Sequence, residues 1–374
     1  MLWCMIAPMN SSPGTSFSEF AKLTKNTISR RITAIFEENS AIFAQLPEMS
    51  DWLAATMEDF ATSGKMLRGA LAFVGSQLFG GARKETETVT ISLAAGLELL
   101  QAGLLVHDDI MDHDERRRGK PTLHVRIKNR ILEIDSGFGE SPALDMAEAQ
   151  GICVGDLFFF IAWKEITKLR AQVSSLIARE HAIVTLAQML DVALGYDKRF
   201  PSIDEVLDMY RHKTARYTVA LPLLAGASMS EQVDHEVLRL LETFGEALGI
   251  VFQLQDDRLG LFGDEASIGK SVGSDIKEGK KTLYILALQN RMNHEERTRF
   301  YSIYKSPDID ADDIEWLRKI ILAKGVDAYV QTIIEEHLSQ ARTALAQIST
   351  YRAIRADSIH LLENFIEYSC QRKS

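Results

Sequence analysis

Cysteine, proline and positive charge are all scarce in this sequence. Its three cysteines, Cys4, Cys153 and Cys370, are scattered over 374 residues without a CxxC pair. This arrangement argues against a disulfide framework and against a zinc site, and it fits a reducing cytoplasm. Acidic residues outnumber basic ones, 52 to 42, for a formal net charge of −10. A general nucleic-acid or anionic-membrane surface is therefore not expected, and any anion must be bound locally.

The eight prolines leave long uninterrupted stretches. Segments 48–120, 143–200, 223–306 and 308–374 contain none, and their apolar residues recur at helical intervals. Because proline interrupts helices and this periodicity is typical of amphipathic helices, the sequence predicts an all-α protein with one large domain at 17–374. Residues 1–16 are expected to form a flexible leader, since Gly, Ser and Pro are frequent at 10–16. The apolar start of this leader is too short to span a bilayer. No transmembrane segment is predicted.

The spacing of apolar residues also predicts individual elements. The β-branched residues 86–91 would suit a strand, but they run into leucines at helical spacing from Leu93 to Leu104. We therefore expect a helix there that ends in the acidic stretch at 108–112. Further helices are expected at 17–43, 70–78, 143–169, 173–194, 202–225 with a kink at Pro222, and 238–261, with loops at 125–142 and 260–279.

The stretch Asp108-Asp109-Ile110-Met111-Asp112 is the most informative part of the chain. On a helix, Asp108 and Asp112 lie one turn apart on one face, where two like charges repel by a few tenths of a kcal/mol. A bound cation would remove this repulsion. Carboxylates without His or Cys suit Mg²⁺, which typically takes one or two of them and completes its shell with water and substrate phosphate. Arg116-Arg117-Arg118 follow and can bind phosphate oxygens.

A second acidic pair, Asp256-Asp257, lies at the end of the predicted helix 238–261. Two such pairs in one helical protein indicate a single cavity, since metal sites in bundles are commonly built from facing helices. We therefore expect Asp108, Asp112 and Asp256 to share a cluster of Mg²⁺ ions that clamps one diphosphate. Taken alone, either pair would most often be a solvated helix end.

Basic residues occur in four clusters. Each cluster alone would usually be ordinary surface charge, but together with the two acidic pairs they suggest binding sites for two diphosphates. The clusters are Lys65 with Arg68, Arg117 with Arg118, Lys213 in Lys213-Thr214-Ala215, and Lys270 with Lys280-Lys281.

Five motifs, taken in their order along the chain, resemble those of the trans-type polyprenyl diphosphate synthases, such as the geranylgeranyl diphosphate synthases. The resemblance implies an all-α, isoprenoid synthase-like bundle around a central elongated cavity, and a homodimer. It also implies condensation of isopentenyl diphosphate with an allylic prenyl diphosphate. The motifs are Gly64-Lys65-Met66-Leu67-Arg68, His107 to Asp112 with Arg117-Arg118-Gly119, Gly155-Asp156, Lys213-Thr214-Ala215, and Phe252-Gln253 through Gly263-Asp264 with Gly269-Lys270.

The resemblance implies a role for each matching residue. Asp108, Asp112 and Asp256 would bind Mg²⁺, with about three ions per active site. Asp109 and Asp257 point roughly 100° away from these ligands on a helix and would support them. The residues that would hold the allylic diphosphate are Arg117, Lys213, Thr214, Gln253 and Lys270, and those that would hold isopentenyl diphosphate are Lys65, Arg68 and Arg118.

Two positions depart from the commonest pattern of the family. Gln101 stands where many members have a histidine that touches isopentenyl diphosphate, so a weaker amide contact is expected there. Gly260 replaces the third aspartate of the second acidic motif, which leaves Asp256 as the main metal ligand of that motif.

Product length in this family depends on the residues one and two turns before the first acidic motif, where a bulky aromatic side chain stops growth early. Here these positions are Gly103 and Leu104, with Leu100 deeper. We therefore expect an open upper pocket and a product of about twenty carbons or longer. The run Phe158-Phe159-Phe160 is either the floor of this pocket or ordinary core, and core is the favoured interpretation.

Two other functions stay open at this point. A class I terpene cyclase also ionises a prenyl diphosphate with an aspartate-rich helix and Mg²⁺. It needs no second diphosphate site, however, and its Asn/Ser/Glu metal motif is not found near Asp256. A non-catalytic subunit of a heteromeric synthase would generally have lost an acidic motif, and Gly260 is the best support for this alternative.

Overall fold

The computed structural model describes residues 15–45, 47–79, 84–135, 137–263, 273–306 and 308–371. Within these residues nearly every element is a helix, and the strands β1 (Arg116–Arg117) and β2 (Lys120–Pro121) form one short antiparallel hairpin. The predicted all-α fold is confirmed. The helices are α1 (Phe17–Glu38), α2 (Ser40–Phe43), α3 (Pro47–Thr62), α4 (Leu67–Gln77), α5 (Lys84–Met111), α6 (Leu123–Ile134), α7 (Glu140–Ile166), α8 (Ala171–Tyr196), α9 (Ile203–Tyr210), the π-helix π1 (Arg211–Ala220), α10 (Leu221–Ala227), α11 (His235–Phe262), α12 (Ser274–Glu278), α13 (Leu283–Gln289), α14 (His294–Ile303), α15 (Ala311–Ala323), α16 (Val326–Ile348) and α17 (Ala356–Cys370).

The chain divides into two compact units. The first unit contains the basic loop at 64–68 and the first acidic stretch, and the second contains Lys213 and the second acidic pair. The single domain around a central cavity stays a prediction. The first unit comprises Met1–Ile177, Pro222–Asp234 and Tyr351–Leu362, and the second comprises Ala178–Leu221, His235–Thr350 and Glu363–Ser374.

In the first unit, α5 and α7 approach each other closely along much of their length. At four levels a glycine of one helix faces a side chain of the other, and a Cβ added to that glycine would lie between 2.2 and 3.0 Å from the side chain. Such close approach requires glycine, because a larger residue would overlap its neighbour. Higher residue numbers on α5 face lower residue numbers on α7, so the two helices are antiparallel. The facing pairs are Gly96 with Ile166, Gly103 with Phe159, His107 with Gly155, and Ile110 with Gly151.

The apolar run of α5 lies in the core of the first unit. Leu93, Leu97 and Leu100 are fully buried, and α5 includes residues 86–91, so the prediction of a helix there is confirmed. By length and composition two helices could cross a membrane, Thr86–Met111 and Glu140–Ile166. The most apolar window of the first is 78% buried inside the protein, as expected of a core helix, whereas that of the second is 39% buried.

In the second unit, α11 packs against π1 through two further glycines. A Cβ on Gly245 would lie 2.5 Å from the Cα of Ala220, and one on Gly249 would lie 2.4 Å from the Cα of Ala215. The two backbones are therefore nearly in contact. This contact fixes the position of π1 beside the helix that carries the second acidic pair.

The π-helix π1 lies where the sequence predicts one α-helix with a kink at Pro222. The irregular segment ends at Ala220, before the proline, which is the second residue of α10. Proline is tolerated in the first turn of a helix because its missing N–H has no intrahelical partner there. Wider π-helical turns often occur at functional sites, and this one carries Lys213 and Thr214.

The expectation of a loop at 125–142 is wrong. Most of the segment belongs to α6, which follows Pro121 and the N-cap residue Thr122. Leu123 and Ile127 of α6 are buried, and the basic residues between its apolar positions obscure this spacing in the sequence. The expected helix 17–43 is likewise divided, because α1 ends before Asn39 and α2 follows it.

Two expectations fall partly outside the described residues. They concern the leader, of which residues 1–14 lie outside, and the loop 260–279, of which residues 264–272 with Lys270 lie outside. The described parts of that loop are largely helical, since α11 continues to Phe262 and α12 covers Ser274–Glu278.

Replacing Gly155 by alanine is expected to lower the free energy of unfolding by about 1–3 kcal/mol. The new Cβ would lie 2.2 Å from Nε2 of His107 and would force α5 and α7 apart. Gly195→Ala is the control, because a Cβ there would meet nothing within 4 Å and alanine is favoured over glycine in a helix. Urea denaturation measures both variants, and equal stability of the two would contradict the close contact.

Candidate active site

The first acidic stretch lies at the C-terminal end of α5. Asp108 and Asp112 are one turn apart, and the N–H of Asp112 donates a hydrogen bond to the carbonyl of Asp108 (2.9 Å). Both side chains are partly exposed, that of Asp108 by 23%. The C-terminal end of a helix carries the negative end of its dipole, which disfavours carboxylates. The arrangement therefore favours a bound cation more than the two like charges alone would.

Asp109, between these residues, points into the protein and binds Arg117 of β1. The carboxylate is fully buried, and the guanidinium donates to its Oδ1 at 2.5 Å while lying 3.6 Å from Asp108 and 3.7 Å from Asp114. Burial alone would lower the pKa of Arg117, but the surrounding carboxylates outweigh it and raise that pKa. Arg117 thus lies beside the predicted metal ligands, and Asp109 fixes its position.

The acidic stretch fits Mg²⁺. Among the described residues, no three His, Cys, Asp or Glu side chains converge on a point that could hold a metal ion. Mg²⁺ needs no such cage, because it usually takes one or two carboxylates and keeps water and substrate phosphate as further ligands. Asp108 and Asp112, both accessible at the negative end of one helix, supply such a pair.

Arg118 extends from the β1–β2 hairpin to the basic loop between α3 and α4. Its Nη1 donates to Oγ of Ser63 (3.0 Å), and its guanidinium lies 3.1 Å from the place that a Cβ on Gly64 would take. A side chain at 64 would therefore crowd the guanidinium of Arg118. Burial, followed by repulsion from Arg117 and Arg68, lowers the pKa of Arg118. The structure thus brings Arg118 to the loop that contains Lys65 and leads to Arg68, the other two basic residues that the sequence assigns to the same diphosphate.

A buried carboxylate that the sequence analysis missed organises this loop. Glu98 of α5 accepts hydrogen bonds from the N–H groups of Gly69 (2.8 Å) and Arg68, which belong to the first turn of α4. Met66, at the N-cap, has a φ of 55° and makes no side-chain cap, so Glu98 acts in place of a capping residue. Burial raises the pKa of Glu98, although Arg68 and Arg118 oppose the shift. A lone acidic residue within an apolar run is the only signal of it in the sequence.

Two further residues of the predicted isopentenyl diphosphate site, Lys65 and Gln101, are accessible to solvent. Lys65 is exposed in the loop itself, and Gln101 lies partly exposed on α5, one turn beyond Glu98.

The two residues of the second acidic pair also differ in exposure to solvent. Asp256 is exposed and Asp257 is buried. Asp257 accepts hydrogen bonds from the hydroxyl of Tyr210 and from Nε2 of Gln253 (2.8 Å). Burial, and then the negative charge of Asp275, raise the pKa of Asp257 to about 8. Asp257 therefore has a supporting position, and Asp256 is the residue of the pair that solvent can reach.

The same network brings together two of the predicted ligands of the allylic diphosphate. Thr214 of π1 donates from Oγ1 to Oε1 of Gln253 (2.8 Å). Because Asp257 accepts from the amide nitrogen of Gln253, the orientation of this amide is set on both sides. The adjacent Lys213 forms an ion pair with Asp191 of α8, a partner that no feature of the sequence indicates.

Gly260, where the family pattern has a third aspartate, lies beside another carboxylate. A Cβ on Gly260 would be 3.3 Å from Oδ2 of Asp275, the second residue of α12. The carbonyl of Gly260 also accepts a hydrogen bond from the N–H of Gly273 (3.2 Å). Residue 260 has no carboxylate of its own, but the carboxylate of Asp275 lies beside it.

The pocket expected beside Gly103 is not open on the side of α7. A Cβ on Gly103 would lie 2.4 Å from Cε1 of Phe159, so the ring of Phe159 fills this space. Leu104 is partly exposed and Leu100 is fully buried. The sequence offered the run 158–160 as either the floor of this pocket or core and favoured core, because the run lies more than fifty residues away in the chain and its register against α5 is not visible in the sequence.

Comparison with known proteins adds an independent line of argument. The family model described as polyprenyl synthetase matches residues 50–321, which include all five motifs. The chain is 31% identical over 321 residues to a short chain isoprenyl diphosphate synthase of Methanothermobacter thermautotrophicus, covering 80% of this chain and 89% of the relative. It is 30% identical over 333 residues to a geranylgeranyl diphosphate synthase of Sulfolobus acidocaldarius, covering 87% and 92%.

A solved structure shares the fold. The geranylgeranyl pyrophosphate synthase of Corynebacterium glutamicum, complexed with isoprenyl diphosphate and magnesium, superposes with a TM-score of 0.84 at 27% identity. The alignment covers 96% of this chain and all of the other. The all-α fold described above is therefore the fold of the prenyl synthases.

Replacing Glu98 by alanine is expected to lower the free energy of unfolding by about 1–3 kcal/mol, because two N–H groups of α4 would lose their buried acceptor. Glu98→Gln keeps an acceptor oxygen and is expected to lose less. Glu133→Ala, at a side chain that is 66% exposed, is the surface control and should stay within about 0.5 kcal/mol of the wild type. Chemical denaturation ranks the three variants, and a Glu98→Ala variant as stable as the control would show that the cap is unimportant.

Proposed function

The chain belongs to the polyprenyl synthetase family, and from this premise we propose that it condenses isopentenyl diphosphate with an allylic prenyl diphosphate. Membership of the family makes it a chain-elongating prenyltransferase. The observation that carries the detailed proposal is the approach of Arg118 to Ser63 and Gly64, in the loop that leads to Arg68 and in the same unit as the acidic end of α5. One unit would thus hold a cation site and a separate site for an anion, as a reaction between two diphosphates requires.

The carboxylates would carry Mg²⁺, with Asp108 and Asp112 on the first motif, Asp256 on the second and about three ions per active site. The bound ions would supply charge neutralisation for the departing diphosphate. Arg117, held by Asp109, would stabilise the negative charge that grows on the leaving oxygens. Lys213, Thr214, Gln253 and Lys270 would hold the same diphosphate.

Lys65, Arg68 and Arg118, with Gln101, would hold isopentenyl diphosphate. Support for this assignment comes from the charge balance of the loop, where the buried Glu98 interacts electrostatically with both Arg68 and Arg118. The N-terminal turn of α4 adds the positive end of a helix dipole. The alkene of isopentenyl diphosphate would attack the allylic cation, and the released diphosphate would accept the proton, since no His or Glu in the motifs is placed for that role.

We propose a product of about twenty carbons or longer. The partly exposed face of α5 before Asp108 carries Leu104, with Leu100 deeper, and Gly103 supplies no side chain. A tail that lies along this face would meet aliphatic side chains of α5 rather than an aromatic ring of that helix.

The alternative of a non-catalytic subunit depends on Gly260. Asp275 argues against this alternative. Its Oδ2 lies 3.3 Å from the place that a Cβ at 260 would take, so Asp275 contributes a carboxylate near Asp257. The alternative of a terpene cyclase leaves the anion site at Arg68 and Arg118 without a role.

We also propose that the protein is a cytoplasmic homodimer. The helix α7 exposes an apolar stripe in which Met146, Cys153 and Phe160 recur every seven residues, and Met146 and Phe160 are 41% and 73% exposed. Such spacing is typical of helices that pair along a seam. A second copy of the chain would cover this stripe with its own.

Incubation of the purified protein with isopentenyl diphosphate, Mg²⁺ and each of the five-, ten- and fifteen-carbon allylic primers tests the reaction. Mass spectrometry is expected to show elongated prenyl diphosphates from at least one primer. An excess of chelator is expected to abolish turnover. Asp108→Ala and Asp256→Ala are each expected to reduce kcat by a factor of about 10²–10³, as loss of a dominant electrostatic contribution does.

Asp145→Asn is the matched control for these variants, because Asp145 is exposed on α7 outside the acidic motifs. Circular dichroism should show an unchanged helical fold in all three. A folded wild type that extends no primer alone would favour the subunit alternative, and turnover that persists in chelator would exclude the metal role.

Replacing Phe160 by lysine is expected to shift the protein from dimer to monomer, because two charges would be buried in the seam without partners. Light scattering after gel filtration measures the mass. Asp145→Lys, exposed on the same helix beside the stripe, is the control and should stay dimeric. A wild type that is monomeric at micromolar concentration would contradict the dimer.

A further inference from the structure

Arg118 lies at the tip of the β1–β2 hairpin, in a backbone conformation that arginine rarely adopts. Arg118 and Gly119 are the two residues between the strands, and their φ angles are 53° and 74°. A two-residue turn with both φ angles positive fits the twist of a hairpin, but its first position usually takes asparagine, aspartate or glycine. The Cβ of other residues crowds the backbone there. The position of the Arg118 side chain therefore depends on contacts that hold the hairpin in this shape.

The end of helix α3 holds the hairpin at two points. Ser63, directly after α3, accepts the hydrogen bond from Nη1 of Arg118 (3.0 Å). The N–H of Ser63 donates to the carbonyl of Asp59 (3.1 Å), so these two residues lie one helical turn apart on one face. The carboxylate of Asp59 accepts hydrogen bonds from Nζ of Lys120 on β2, at 3.0 and 3.2 Å. The same face of α3 thus binds both the tip of the hairpin and the strand that follows it.

A second cation binds the same carboxylate. Oδ2 of Asp59 accepts a hydrogen bond from Nη1 of Arg126 on α6 (2.8 Å), and Nε of Arg126 donates to the carbonyl of Pro121, the last residue of β2 (3.0 Å). Burial would raise the pKa of Asp59, but the hydrogen bonds from Lys120 and Arg126 outweigh it and lower that pKa. The carboxylate is therefore charged at neutral pH. Asp59, Lys120 and Arg126 form a clamp, the Asp59 clamp, that joins α3, β2 and the start of α6.

We infer that Asp59 is a positioning residue for the second diphosphate, which it affects by fixing the hairpin that carries Arg118. The inference rests on the proposed assignment of Arg118 to isopentenyl diphosphate. An isolated ion pair at a surface contributes little, but here one carboxylate binds two cations, and one of these also binds the backbone of β2. Because only two residues separate β1 from β2, a restraint on β2 also restrains the tip. The Asp59 clamp therefore holds the guanidinium of Arg118 at the loop that leads to Arg68.

The two ways in which Asp59 could affect this site have opposite signs. As a negative charge, it lowers the positive potential that attracts a diphosphate, so its removal would strengthen binding. As an anchor of the hairpin, it holds Arg118 in place, so its removal would weaken binding. The sign of the change in the KM for isopentenyl diphosphate therefore distinguishes positioning from a simple effect of charge.

Steady-state kinetics of the wild type and of Asp59→Asn test the inference, with each diphosphate varied at a saturating level of the other. Asparagine has nearly the shape of aspartate but no charge, so it weakens both ion pairs with little change in packing. The KM for isopentenyl diphosphate is expected to rise by a factor of about 5–10. The kcat and the KM for the allylic primer are expected to stay within a factor of about two.

Two further variants serve as controls. Asp59→Glu keeps the charge and is expected to restore most of the affinity for isopentenyl diphosphate. Asp51→Asn removes an exposed negative charge about two turns earlier on α3 and should leave all three kinetic parameters unchanged. An equal rise of the KM for isopentenyl diphosphate in Asp51→Asn and Asp59→Asn would overturn the inference.

The double variant Asp59→Asn with Lys120→Met shows whether the effect passes through the hairpin. Lys120→Met alone removes one cation of the Asp59 clamp and is expected to raise the same KM. If the two residues act as one unit, the double variant is expected to match Asp59→Asn alone. Additive effects would mean that Lys120 acts on the diphosphate independently of Asp59, which contradicts the clamp.

The outcomes separate the inference from the function on which it rests. An elongating wild type together with an unchanged or lowered KM for isopentenyl diphosphate in folded Asp59→Asn overturns the inference and leaves the proposed function intact. An equal rise of both KM values, as a general loosening of the fold would give, also overturns it. Circular dichroism establishes folding, and should Asp59→Asn not fold, the same comparison of the two KM values in Lys120→Met, at a side chain that is 54% exposed, decides. A wild type that elongates no primer refutes the proposed function, and the inference falls with it.

Discussion

The close contact between α5 and α7 is the constraint on which the first unit depends. Four glycines, two on each helix, admit side chains of the opposite helix at distances that no other residue would allow. The antiparallel register is therefore fixed at several levels at once. It determines where the acidic end of α5 lies, holds His107 against Gly155, and places the ring of Phe159 beside Gly103. A shift of either helix by one residue would move these glycines away from the side chains that they accommodate.

The acidic end of α5 and the basic loop at 64–68 both combine a buried charge with charges nearer the surface. At the end of α5, the buried Asp109 balances Arg117, while Asp108 and Asp112 stay accessible at the negative end of the helix. At the basic loop, the buried Glu98 lies near both Arg68 and Arg118. In each case a buried group of opposite sign holds the fold together, because burial of an unpaired charge is strongly destabilising.

The sequence predicted much of this, and its failures have physical causes. The helix at 86–111 was predicted correctly because leucines at helical spacing outweigh six β-branched or polar residues. The helix α6 was missed because Arg126, Lys128 and Arg130 separate its apolar positions, so a polar segment concealed an amphipathic one. The π-helix π1 was not predicted. Its residues Ala215 and Ala220 pack closely on the glycines of α11, a contact that the local spacing of apolar residues does not show.

The sequence by itself determined the all-α class, the order of the motifs and the family, because helical periodicity and motif spacing are properties of neighbouring residues. Only the tertiary structure decided that Glu98 caps α4, that Asp191 pairs with Lys213, that Asp275 lies beside Gly260 and that Phe159 fills the space at Gly103. Each of these contacts joins residues that are far apart in the chain. Their pairing depends on the register and separation of packed helices, which local sequence patterns do not encode.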